Sequence, residues 1–131
     1  LLFGYPEWIT YRGETLEGMQ AMNTTVYSRF YNDADDADTK RIEENYSRWY
    51  GRPMEQAVPR QGLLGFDTGM MVIRALRHNH GDFNASSPVY RGVQNGYNFR
   101  HARENVSSGW VNDVLYFINF RPSGMIDRTM L

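Results

Sequence analysis

The hydrophobic period of this 131-residue chain changes in a fixed order along its length. "LLFGY" (1–5) is a short apolar run of the kind a buried strand uses. "TTVYSRFY" (24–31) is β-branched and aromatic, with Val26, Ser28 and Phe30 alternating against Thr25, Tyr27 and Arg29, which predicts a second strand. Between them, "ETLEGMQAM" (14–22) reads as a short helix with Leu16, Met19 and Ala21 inward. Parallel strands need a crossover of this kind, so the beginning of the chain already points to an α/β class.

The middle of the chain is helical in period. "DADTKRIEENYSRWYG" (35–51) places Ile42, Tyr46, Trp49 and Tyr50 on one stripe, with Asp36 or Asp38 as N-cap and Gly51 as C-cap ahead of Pro53. A second helix is expected from about Leu64 to Asn79, ended by Gly81, with Phe66, Met70, Ile73 and Arg77 on one stripe that Val72, Leu76 and Met71 widen, which suggests burial on more than one side. Its start, "PRQGLLGFDTG", carries Gly62, Gly65 and Gly69, each of which costs about 1 kcal/mol against alanine inside a helix. Close packing of this helix start is the expectation that explains them. Beyond Tyr90 the texture is extended: a turn at Asn95-Gly96, a strand with Tyr97, Phe99 and His101, a long strand over 110–120 and a short one near 125–127.

The order β-α-β-α-α-β-β-β predicts an open, mostly parallel sheet flanked by helices, with antiparallel strands added at the C-terminal end. Ligands in such sheets sit beyond the carboxyl ends of strands, against helix N-termini. Those places are "GYPEW", "FYNDADD" and "PRQGLLGFDTG".

Composition bounds the partners. With 41% hydrophobic and 15% aromatic residues, one compact domain over 1–131 is expected. Fourteen basic against fifteen acidic residues give a net charge of −1, which argues against nucleic acid or an anionic membrane surface as a charge-held partner. The absence of cysteine removes thiolate chemistry and says nothing about compartment. The opening inside an apolar strand, without Met or a basic leader, suggests a piece of a longer protein.

Several stretches in order, "LLFGYPEW", "YSRFY", "YGRPMEQAVPRQGLLGFDTGMMVIRAL", "YRGVQNGYNF" and "LYFINF", resemble the C-terminal lobe of the type I periplasmic-binding-protein fold. The likeness is to bacterial lipoproteins similar to amino-acid ABC-transporter substrate-binding proteins, often carrying LysM peptidoglycan-binding modules. Its marks are the "RIEENYSRWYGRP" helix end, the "GFD" helix entry in place of the usual Tyr-Asp, and the "GVQNGYNF" turn. The resemblance spans essentially the whole chain. It implies half of a two-lobed solute receptor in the periplasm or cell envelope, a small ligand of amino-acid or peptidoglycan-derived type, and a lipid anchor on the missing part as the sole membrane link. A sheet short of strands would also leave an edge able to pair with a second copy.

Tyr5, Glu7 and Trp8 are binding candidates because aromatics and an acid in a loop after a core strand can stack on a ligand and pair with an ammonium. The alternative for Trp8 is a plug of the interior. Ser28 and Tyr31 are placed by the same topology. Asp67 either interacts with the helix start and its neighbours or presents a carboxylate to a ligand amino group. Gly62 and Gly65 permit close packing or let backbone N–H groups meet an anion.

The run "NDADDAD" (32–38) has calcium-loop spacing at Asp33, Asp35 and Glu44, but Asp38 stands where the sharp turn needs glycine, so a helix-capping run is the better reading. "HNH" (78–80) lies at a helix end with no third ligand, and no metal or cofactor is assigned. Asn-x-Ser/Thr triplets begin at Asn23, Asn45, Asn84 and Asn105, and given the bacterial resemblance coincidence is the better reading than glycosylation. No nucleophile elbow, phosphate loop or catalytic triad order is present, so a non-catalytic role is expected. Two expectations stand: a ligand-binding lobe, or a scaffold domain of a peptidoglycan-associated envelope lipoprotein that has lost its small-molecule site.

Overall fold

A computed structural model describes residues 1–81, 87–104 and 107–131. In chain order the elements begin with β1 (Leu2–Gly4), a 3₁₀ turn (Pro6–Thr10), α1 (Glu14–Ala21), β2 (Thr24–Ser28), α2 (Ala37–Tyr50) and α3 (Gln61–His78). They continue with β3 (Tyr90–Arg91), β4 (Gly96–Tyr97), β5 (Phe99–His101), β6 (Trp110–Asn112), β7 (Tyr116–Phe120) and β8 (Ile126–Met130). The described residues divide into two compact units, 1–31 with 115–131, and 32–114. The protein is mixed α/β, with three helices and a four-stranded mixed sheet among the described residues.

The first unit holds that sheet, in the order β1-β2-β7-β8. β2 alternates as its sequence predicts: Thr24, Val26 and Ser28 are buried, and Thr25 and Tyr27 are half-buried. Val26 lies opposite Ile118, and Thr24 opposite Phe120, so one sheet face is a continuous core. Only β1 and β2 are parallel, and the other two pairings are antiparallel. The expected mostly parallel sheet is thus corrected to a mixed one. The physical reason is that a single crossover, α1, links sheet neighbours, whereas β2 reaches β7 only after the whole second unit.

The expected 110–120 strand is two strands. β6 pairs with β5 in the second unit, and β7 is central in the sheet of the first. Asn112 makes the break, since its Oδ1 accepts from the N–H groups of Asn98 and Val114 and takes the backbone out of strand pairing. The last strand is longer than expected, because all five residues of β8 pair with β7.

In the second unit α2 starts and stops as its caps dictate. The Asp36 side chain accepts from Thr39 N–H, and Gly51 adopts the left-handed conformation at the C-cap. Its buried stripe is Thr39 and Ile42, whereas Trp49 is 82% exposed, so the expectation that Trp49 and Tyr50 turn inward is corrected. α3 starts three residues earlier than expected and buries Leu63, Asp67, Met71 and Ala75. Phe66 and Ile73 of the expected stripe are exposed. Ile42, Met54 and Leu63, with Tyr46 and Val93 against them, form the core that joins α2, α3 and the 92–95 turn.

Candidate functional site

Asp67 is the polar member of an otherwise apolar stripe on α3, and it is fully buried. A buried carboxylate is tolerated only when hydrogen-bonded. Its Oδ1 accepts from Val93 N–H at 3.0 Å, and its Oδ2 accepts from the N–H groups of Gln94 and Asn95, each at 2.8 Å. The Tyr90 phenol lies close enough to feel its charge. Burial first, and then the Asp67 charge, push the Tyr90 phenol up to about 12, against a smaller downward pull from Arg74. The Arg74 guanidinium lies 5.1 Å from the centre of the Tyr90 ring. Asp67 therefore holds the 90–95 segment in a tight turn, closed by Gly92 N–H donating to Asn95 O. A Cβ at Gly92 would run into the Asp67 carboxylate, so the glycine is a steric requirement of the clamp.

Beside the clamp lies a second buried polar group. Gln94 Oε1 accepts from Arg60 N–H at 2.8 Å, while Gln94 Nε2 donates to Arg60 O at 3.2 Å. Arg60, the N-cap residue of α3, is itself buried. Its Nη1 pairs with Glu43 and donates to Asn32 Oδ1 at 3.3 Å. Asn32 in turn donates to Thr39 Oγ1, which ties the network to the start of α2.

The second unit holds a groove of about 230 Å³. Ile42, Asn45, Tyr46, Trp49 and Tyr50 of α2 form one side, Gly62 and Phe66 of α3 the other, and Met54 joins them. Tyr46 and Tyr50 rings are 4.5 Å apart. Four aromatics and one amide make a wall suited to an apolar or planar group with a single hydrogen-bond anchor. Gly62 keeps the floor open to Met54, whose side chain leaves no room for a Cβ there. Gly65 and Gly69 face open space, which corrects the expectation that close packing accounts for Gly65.

The predicted residues fall in both units. Tyr5, Glu7, Trp8, Ser28 and Tyr31 lie in the first, Gly65 and Asp67 in the second. Tyr5 and Trp8 come together with ring centres 6.4 Å apart, and Trp8 stacks on Tyr11. Trp8 packs against Gly4 so closely that no Cβ fits, while Tyr5 is 66% exposed and Glu7 is exposed. Ser28 is buried with its Oγ accepting from Phe30 N–H, and Tyr31 O accepts from Arg128 Nη1. The groove residues Trp49, Tyr50 and Phe66 were not among the candidates. Their signal is an aromatic-rich helix end whose stripe is wider than one buried face can hold.

Among the described residues no three His, Asp or Glu side chains converge as metal ligands, and no helix is long and apolar enough to cross a membrane. The triplets beginning at Asn84 and Asn105 fall outside the described residues. Comparison with protein-family models, curated proteins and solved structures gives no match to this chain.

Proposed function

We propose that this chain is a non-catalytic binding domain whose ligand occupies the aromatic groove between α2 and α3. The observation that carries the reading is the groove itself, whose walls are aromatic while Trp49 remains 82% exposed beside it. Exposed tryptophan at the rim of an apolar concavity is characteristic of recognition surfaces rather than of cores. On this reading the fold is one lobe of a type I periplasmic-binding-protein architecture, and the parent is an envelope receptor for an amino-acid or peptide-like solute. The α1 crossover and the family-like motifs at 50–76 and 92–99 support that assignment.

Thermal melting against amino acids, short peptides and muropeptides tests it. A ligand at a hundred times its Kd adds about 2.7 kcal/mol, a shift on the order of 10 °C for a chain of this size. Trp49→Ala should abolish the shift without lowering the unliganded Tm. A flat response across the whole panel would refute the proposal.

The scaffold reading keeps one specific support. Asp67, the carboxylate best suited to a ligand ammonium, already accepts from three backbone N–H groups. A domain whose buried acid is committed to its own loop has less with which to hold an amino acid's charged end.

A further inference from the structure

We infer that the groove between α2 and α3 takes an aromatic residue from the interior of a peptide and discriminates against the same residue as a free amino acid. The inference rests on reading that groove as the ligand site, and it narrows the occupant. The space is open to solvent: Trp49 is 82% exposed, Tyr50 64% and Phe66 37%. Its volume of about 230 Å³ is below the roughly 300–1,000 Å³ of pockets that enclose a whole ligand, which suits one ring rather than an entire peptide. None of the residues lining it carries a charge, and Asn45 is the one polar side chain among them that is not aromatic.

Uncharged walls decide against a free amino acid. Its ammonium and carboxylate both sit on the carbon next to the one that bears the ring, so docking the ring draws them to the rim. A ring face attracts the ammonium. It repels the carboxylate through its negative quadrupole, and no lining residue supplies a cation in exchange for lost water. An internal residue has neutral peptide groups in those places. Asn45 matches one of them, because its amide offers an N–H donor and a C=O acceptor, the pair that a peptide group offers in return. Asn45 is exposed and has no hydrogen-bond partner among the described residues. It stands one helical turn before Trp49 on α2, so amide and indole share a face.

The Trp49 indole N–H resonance in ¹H–¹⁵N spectra reads the groove with three probes. N-acetyl-L-phenylalaninamide, free L-phenylalanine at pH 7 and p-cresol present the ring with neutral amides, with a zwitterion and with neither. The capped residue should move the resonance along a saturable curve, and free phenylalanine should bind about tenfold more weakly or worse. Asn45→Ala, an exposed change on a helix, should weaken the capped residue about fivefold and leave p-cresol unchanged. Free phenylalanine binding as tightly as the capped form would overturn the inference while keeping the groove as a ligand site. So would p-cresol binding without the capped residue, or an Asn45→Ala loss shared equally by both. A Trp49 signal that ignores all three probes would refute the groove and the inference together.

Discussion

The Asp67 carboxylate occupies the space into which a side chain at Gly92 would project, and Asn95 O closes the same space from the other side at 2.6 Å. Gly92→Ala therefore forces either the buried acid or the turn backbone to move. Overpacking of this kind costs about 1–3 kcal/mol. Urea denaturation should show a lower midpoint with an unchanged slope.

Asp67→Asn is the isosteric companion. It removes the charge and turns an amide NH₂ toward N–H donors, so at least one donor of Val93, Gln94 or Asn95 loses its acceptor. A loss of about 3 kcal/mol or more is expected from the charged hydrogen bonds alone. Amide exchange at residues 93–95 should accelerate more than exchange in α2.

Tyr90 gives the clamp a pH signature. Its phenol titrates near 10 when unfolded and at about 12 when folded, because burial and the neighbouring Asp67 disfavour the phenolate. Between these values the folded chain holds a proton that the unfolded chain has released. Stability from this group is thus fully present below about pH 10 and falls as pH rises through about 12. Melting temperatures from pH 9 to 12 should decline less steeply in Tyr90→Phe than in the wild type.

Gly65 and Gly69 sit inside α3 with nothing within 4 Å of a built Cβ. Alanine there gains helix propensity without a clash. Each substitution should stabilise the chain by roughly 0.5–1 kcal/mol. A destabilised Gly65→Ala would show that position 65 is needed for something other than the helix.

Asp36→Ala removes the side-chain acceptor of Thr39 N–H at the start of α2. The expected loss is about 1 kcal/mol, recovered largely by Asp36→Ser. Fraying at residues 37–40 by amide exchange would locate the effect.

What could be read in the sequence was local. The caps of α2 lie within three residues of the amides or carbonyls they serve, and the alternation of β2 is set by its own side chains, so Asp36, Gly51 and Val26 were legible. The clamp was not, because the donors to Asp67 lie 26, 27 and 28 residues downstream. Counting Asp67 as polar also displaced the inferred stripe of α3, although Leu63, Met71 and Ala75 share its spacing and would have marked it as a buried acid. The groove escaped notice for the opposite reason. Trp49 and Tyr50 fit an inward periodicity, and only the tertiary packing of Ile42, Met54 and Leu63 leaves them outside.

Ser28 at the end of β2 lies directly opposite Tyr116 at the start of β7, so the central pairing of the larger sheet joins segments at either end of a long excursion. During synthesis at roughly 5–20 residues per second, β2 leaves the ribosome several seconds before its antiparallel neighbour has been translated. Throughout that interval Val26 and Tyr27 sit on a bare hydrogen-bonding margin, a template for any other nascent strand. Yield in the cell is then governed by how fast the ribosome delivers Tyr116–Phe120, and slow codons between the two strands would lengthen the window for misassembly.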